Sequence, residues 1–251
     1  MLKKMLLMSV IVCAAAVMVS ADDVWNLADD WSTTAMPSHN WSYGVYGGPN
    51  GAGYVNHEAP SSVYGFDYWW TNSPGQNNTA RGFVIHNPST EDALNLDTAH
   101  NIWGAEYILA ENQAALSSSM FSIPDAEAFR WTAPAAGTYQ VDVTFSGIKY
   151  NAGGTNSPVY IKKNGVDIFT DTVVGFAGSD YFGMDAFGDK PTTSYSALLT
   201  LAAGDTLDFV IPDGTDGIVD GVGVDAEISI PEPATMCLLG LGGLLLARRK
   251  A

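Results

Sequence analysis

Four aspartates crowd the stretch IPDGTDGIVDGVGVD, at Asp213, Asp216, Asp220 and Asp225, with a glycine beside or near each. Calcium takes six to eight oxygens from carboxylates and backbone carbonyls, on a loop that glycine allows to curl. Asp213, Asp216 and Asp220 are therefore candidate ligands for a structural calcium. The spacing is not that of a helix–loop–helix calcium loop, and Asp-Gly pairs serve plain turns equally well. A second group is aromatic: Trp25, Trp31, Trp41, Tyr43, Tyr46, Trp69, Trp70 and Trp103 lie among Asn, Asp and Gly. Sugar rings stack their apolar faces on such side chains, and Asn and Asp hydrogen-bond the sugar's polar edges. Trp41, Tyr43, Trp69 and Trp70 are the candidate ligand-binding residues, against the alternative that these large rings fill a core.

Signals for catalysis are sparse. The chain contains neither G-x-S-x-G nor H-E-x-x-H, and His39, His57, His86 and His100 are scattered singly. Neighbouring acids such as Glu91 and Asp92 or Glu106 and Glu111 supply carboxylates, but the separation required for glycoside hydrolysis is set by the fold. No catalytic residue is assigned. A polysaccharide-processing enzyme stands as the alternative to a non-enzymatic protein.

Charge narrows the partners. Of 11 Lys+Arg and 27 Asp+Glu, five cations and Glu232 fall in the terminal segments 1–21 and 231–251. Six cations against 26 acids remain between them, a formal charge of −20 on residues 22–230. Such a surface repels phosphate backbones, so nucleic acid is excluded as a partner. Cys13 and Cys237 are the only cysteines and both sit in the terminal segments, so the central domain has no disulfide or catalytic thiol.

The two ends read as addresses. MLKKMLLMSVIVCAAAVMVSA has a cationic start, an apolar stretch and small residues before Asp22, the pattern of a secretory signal peptide cleaved after Ala21. At the other end Pro231-Glu232-Pro233 precedes an apolar run from Ala234 to Ala247 and then Arg248-Arg249-Lys250. As a helix this run would be about 21 Å long, short for a permanent span. The three cations hold that end on the cytoplasmic side, which implies transient membrane insertion. These 21 residues resemble a PEP-CTERM sorting signal. The resemblance implies recognition near Pro-Glu-Pro by exosortase, a membrane transpeptidase-like enzyme. It further implies a bacterium that makes extracellular polysaccharide, and a protein destined for the envelope surface or matrix.

Between the ends, residues 22–230 are long enough for one domain with a sizeable core. GTYQVDVTFSGI alternates Tyr139, Val141, Val143 and Phe145 with Gln140, Asp142 and Thr144, the period of a strand. Asn164-Gly165 marks a hairpin, and Ala-Gly-Asp at 203–205 a turn between two further strands. Adjacent Trp69 and Trp70 must face opposite sides if they lie in a strand. The stretch 90–116 is the one place where a short helix is expected, from its Thr/Ser cap and early acids. The whole predicts an all-β, antiparallel β-sandwich of jelly-roll type, flanked by the signal peptide and a C-terminal hydrophobic sorting helix.

NWSYG (Asn40 to Gly44), FRWTAPAAGTYQVDVTFSG, KKNGVDIF and LTLAAGDTLDFVI occur in the order seen in a group of secreted bacterial β-sandwich domains that often carry the same tail. The resemblance spans residues 24–230. It implies a jelly roll similar to carbohydrate-binding modules and brings no catalytic residues with it. The resulting expectation is an exported, non-enzymatic envelope or matrix protein, sorted through its tail, with carbohydrate as its ligand.

Overall fold

The alternating stretch 137–147 folds as a strand because every second residue along most of it is buried on one face. The computed structural model describes residues 23–46, 53–63, 65–70, 82–91, 93–95, 107–117, 126–149, 155–175, 191–212 and 221–231. In chain order its strands are β1 (Val24–Asn26), β2 (Trp41–Tyr46), β3 (Tyr54–Asn56), β4 (Ala59–Val63), β5 (Phe66–Trp70) and β6 (Phe83–His86). There follow β7 (Ala93–Asn95), β8 (Tyr107–Leu109), β9 (Ala114–Ser117), β10 (Ala126–Thr132) and β11 (Gly137–Gly147). The last five are β12 (Thr155–Lys163), β13 (Val166–Gly175), β14 (Thr192–Leu201), β15 (Thr206–Ile211) and β16 (Gly221–Ser229).

An eight-stranded sheet runs β14-β11-β16-β9-β6-β5-β4, with β1 also paired to β16; a six-stranded sheet runs β13-β12-β15-β10-β2-β3. Every pairing within them is antiparallel. The two sheets face each other across one core, so the expected all-β sandwich is what forms. From β10 onward the chain winds back and forth between the sheets, as in a jelly roll.

Tyr139, Val141, Val143 and Phe145 of β11 point into that core with Val222, Val224, Ala226 and Ile228 of β16. Phe129 and Trp131 of β10 and Leu207, Phe209 and Ile211 of β15 meet them from the other sheet. Each such side chain is worth about 1.5–3 kcal/mol when fully buried. Aromatic rings interlock at one end: Trp131 lies edge-on to Trp25 at 5.3 Å and to Tyr139 at 5.2 Å between ring centres. A second apolar cluster sits on the outer face of the eight-stranded sheet, where Phe66, Tyr68, Phe83 and Ile85 are covered by Tyr107, Leu109 and Ile148.

Three local expectations meet tertiary structure differently. The Asn164-Gly165 turn is a β12–β13 hairpin, with both residues at positive φ (51° and 80°). The Ala-Gly-Asp turn joins strands of different sheets, β14 to β15, and so does the Pro turn between β10 and β11. Within the stretch 90–116, where a short helix is expected, the described residues form β7, β8 and the start of β9 with turns between, and residues 96–106 lie outside the described residues. Tyr107, Ile108 and Leu109 are all buried there, and burial on a sheet overrides a local helix preference. The C-terminal sorting helix falls outside the described residues. Among those described, no helix is long and apolar enough to cross a membrane.

One polar row crosses the six-stranded sheet. In register, Ser42 (β2), Arg130 (β10), Asp208 (β15), Lys162 (β12) and Asp167 (β13) lie side by side. Asp208 is fully buried, and Arg130 donates to both its carboxylate oxygens. Tyr46 also donates to Asp208, and burial beside that carboxylate pushes the Tyr46 hydroxyl up to about 12. The Arg130 guanidinium rests 3.8 Å from the centre of the Tyr54 ring. Lys162 pairs with Asp167 at the exposed end of the row.

Asp208→Ala leaves the half-buried Arg130 without its partner and should cost about 3 kcal/mol in denaturant melts. Asp167→Ala, which breaks only the exposed pair, should cost less than about 1 kcal/mol in the same melts.

Candidate functional site

The alternation that buries one face of β11 and β16 leaves a polar face outward. Asp142 and Thr144 of β11 stand opposite Glu227 and Asp225 of β16 in the register of the sheet. They form the floor of an open cleft of about 770 Å³. Its walls are Asn26 at the end of β1 with Ala28 and Asp29 beyond it, Pro88–Thr90 after β6, and Glu111 and Asn112 before β9. Among the described residues, five carboxylates line the cleft, and no lysine, arginine, histidine or aromatic residue does.

The walls are fixed by side-chain amides, of which Asn87 and Gln113 are buried. Asn87, buried after β6, donates to the carbonyls of Glu91 and Ala110 (3.0 and 2.8 Å) and accepts from the Ser89 backbone N–H and hydroxyl. This ties the 87–91 turn to the 110–113 turn. Asn112 occupies a left-handed conformation (φ 45°), donates to Asp29 at 2.6 Å and is hydrogen-bonded through its oxygen to His86 Nε2 at 2.9 Å. Asn26 accepts from the backbone N–H of Ala28 and Asp29, closing the turn below them. Gln113 reaches across the sheet to Ser146 (3.1 Å) and Asp225 (3.3 Å). It can do so because Gly223 has no side chain: a Cβ there would stand 2.6 Å from the Gln113 amide nitrogen.

On the floor, Asp142 accepts from the Ser196 hydroxyl at 2.6 Å and the Gln140 amide at 3.0 Å. Directly opposite residues on one sheet face have Cβ atoms about 5 Å apart. Asp142 and Glu227 are such a pair. The cleft is thus a set of preorganised hydrogen-bond acceptors with a strongly negative field. It suits ligands that are rich in donors, such as polyhydroxylated chains, or that are cationic.

The aromatic candidates are placed elsewhere. Trp41 and Tyr43 on β2 are fully buried between the sheets and offer no face to a ligand. Tyr43 stacks on Trp31 at 4.3 Å, and Trp41 lies 5.8 Å from Phe209. Trp69 faces the same core and donates its indole N–H to the Ser32 carbonyl at 2.7 Å. Trp70 faces the opposite side, half-buried against the outer apolar cluster, as two adjacent strand residues must. None of the four lines the cleft. Asp213, Asp216 and Asp220 lie outside the described residues. Among the described residues no three His, Cys, Asp or Glu side chains are grouped to hold a metal ion.

The described histidines act as hydrogen-bonding groups. His57 and Glu127, each with a side chain 1% exposed, pair at 2.8 Å between the sheets. His39 stands 3.4 Å from Asp30. His86 lies against Trp31 with ring centres 5.1 Å apart, and burial pushes its imidazole below the ordinary value despite Asn112 and Asp67 nearby.

The composition of the cleft was hidden from sequence reasoning. The outward face of β11 carried a signal by its alternation, Asp225 by its glycine-rich context, and Glu111 only as one of several acids close in sequence. Asn87, Asn112 and Gln113 are ordinary polar residues whose partners lie as far as 112 positions away.

Because the folded state holds His86 neutral, the unfolded chain binds the extra proton as pH falls through about 6.5. Stability should therefore drop between pH 7 and 5, and His86→Gln should flatten that part of a thermal-midpoint profile. Asp171, held low by Thr193 and the Thr172 N–H, and Asp205, held low by the Ala202 N–H and Asn164, should add their own losses only below about pH 4.

Comparison with known proteins bears on the two parts of the chain separately. No curated protein matches it. Among solved structures it is similar to a family 35 carbohydrate binding module from an environmental isolate, at 16% identity over 44% of this chain and 73% of that one, with a TM-score of 0.25. The family 35 module of Clostridium thermocellum is 14% identical over 60% of this chain and 92% of its own, with a TM-score of 0.26. A β-(1,4)-mannanase of Podospora anserina is 13% identical over 61% of this chain and 28% of its own, at 0.29. Residues 229–251 match the PEP-CTERM protein-sorting motif, so the chain ends in the sorting signal that Pro231-Glu232-Pro233 and its apolar, cation-capped run lead one to expect.

Proposed function

We propose that this chain is an exported envelope or extracellular-matrix protein, sorted through its tail with exosortase as the processing partner. In this reading the acidic cleft holds neutral, hydroxyl-rich stretches of extracellular polysaccharide without cleaving them. The observation that carries it is the cleft floor: Asp142, Thr144, Asp225 and Glu227 on two paired central strands, walled by turns whose amides are already satisfied. Sugar hydroxyls donate to carboxylates, and charge-assisted hydrogen bonds are about twice as strong as neutral ones. A preformed site loses little freedom on binding. Anionic polymers are disfavoured by the same charges.

The facing pair Asp142 and Glu227 is the observation that keeps a second reading, a glycan-processing enzyme. Retaining glycosidases place two carboxyl groups about 5 Å apart. In the first reading both groups act only as acceptors.

A glycan array probed with residues 22–230 should show binding to neutral polysaccharide that weakens at least about tenfold, near 1.4 kcal/mol, in Asp142→Ala and Glu227→Ala. Trp70→Ala, away from the cleft, should bind as the parent does. Chain length of the bound glycan should stay constant on prolonged incubation. New reducing ends that disappear with Glu227→Gln would replace the binding reading by the enzymatic one, and a blank array would remove glycan binding altogether.

A further inference from the structure

Both ends of the domain leave the sandwich at one place. β1 pairs antiparallel with the last three residues of β16, Val24 beside Ser229, and the Ile230 N–H donates to the Asp23 carbonyl at 3.3 Å. β16 has β11 on one side and β9 and β1 on the other, so its end cannot peel away without unpairing from both. The sorting signal starts where this strand stops. From Pro231 to Ala234, where the apolar run begins, is three residues, at most about 11 Å of extended chain. A lipid headgroup layer is itself about 5–7 Å deep. With the run inserted, the end of β16 stands within a few ångströms of the headgroups.

The same end carries three turns: 133–136 between β10 and β11, 202–205 between β14 and β15, and Asn164-Gly165. They are tied together. Gly204 N–H donates to the Ala133 carbonyl and Ala133 N–H to the Asp205 carbonyl, both at 2.8 Å, and the Asn164 amide donates to the Asp205 carboxylate at 3.0 Å. Gln140 stands opposite Ser229 in the sheet, so Pro231 comes level with Thr138, beside the first of these turns. Charge is low here for a domain of −20. Pro134, Ala135, Ala136 and Ala203 are exposed, and Val24 is 52% exposed at the foot of β1. Asp205 is the one carboxylate in the three turns, held by the Ala202 N–H and Asn164 with Lys163 3.8 Å away. Asp23, beside Val24, is the exposed acid next to the tether. Bilayers with anionic lipids repel acidic faces, whereas exposed apolar patches suit a membrane surface.

We propose that, while the tail is in the membrane, this end of the sandwich lies against the lipid headgroups, held there by the short tether. The proposal rests on the reading of the tail as membrane-inserted during sorting. The occupant is the bilayer surface and not a second protein, because the tether sets the distance whatever else is present. Pro-Glu-Pro then lies at headgroup level, where the sorting enzyme has to take hold of it. The cleft, on the flank of the same sheet, stays open to polymer.

The test uses the full chain with Cys13→Ser and Cys237→Ser, reconstituted in phosphatidylcholine vesicles whose headgroups carry a nitroxide quencher. A fluorophore on Ala135→Cys or Ala203→Cys should lose its fluorescence. One on Val174→Cys should keep it, since Val174 lies eight residues along β13 from Val166 at the hairpin, about 26 Å away. Gly-Ser spacers of about ten residues after Ala21 and after Ile230, adding about 17 Å of mean reach, should restore the fluorescence of both turn labels. A chain that floats with the vesicles while both turn labels stay bright overturns the proposal and leaves tail insertion standing. A chain that does not float removes tail insertion and the proposal together. Quenching that survives the spacers, or is equal at Val174, also overturns it. Circular dichroism checks each labelled chain; should one turn variant misfold, the other still decides.

Discussion

The pairing of β11 with β16 is the constraint from which the rest follows. Its register places Val141 beside Ile228, Val143 beside Ala226 and Phe145 beside Val224 on the core side. The same register places Asp142 beside Glu227 and Thr144 beside Asp225 on the solvent side. A slip of one residue would put carboxylates into the core and valines into water. Core and cleft are therefore two faces of one decision, and the cleft floor lies on the back of strands whose other face is buried in the core. Opposing carboxylates on that floor carry a repulsive cost. The core on the other face holds them there.

The sandwich manages its polar interior with few exceptions to pairing. Asp208 is enclosed by Arg130 and Tyr46, His57 by Glu127, and Asn87 by three backbone partners and a serine. With no disulfide in the central domain, these networks join strands distant in sequence, a task that hydrophobic burial does without direction. The charge row on the six-stranded sheet and the amide walls of the cleft lie on the two opposite outer faces. Each outer face thereby acquires a fixed side-chain pattern.

Acidic charge has one meaning for solubility and another for recognition. Spread over the surface it keeps copies of the chain apart. Concentrated in the cleft it makes the field there negative, which disfavours anionic ligands.

The sequence determined what depends on neighbours within a few residues. Period-two alternation marked the strands 137–147 and 206–211, Asn164-Gly165 its hairpin, and Trp69-Trp70 their opposite faces. The tail announced itself through the order of Pro-Glu-Pro, apolar run and cations. Tertiary structure alone decided the rest. It sent the two sides of the Ala-Gly-Asp turn into different sheets, drew part of the stretch 90–116 into strands, and sank Trp41 and Tyr43 into the core. It also assembled the cleft from five separated segments. Alternation tells which residues share a face but not which face is buried, because burial is set by the strand that arrives from elsewhere in the chain.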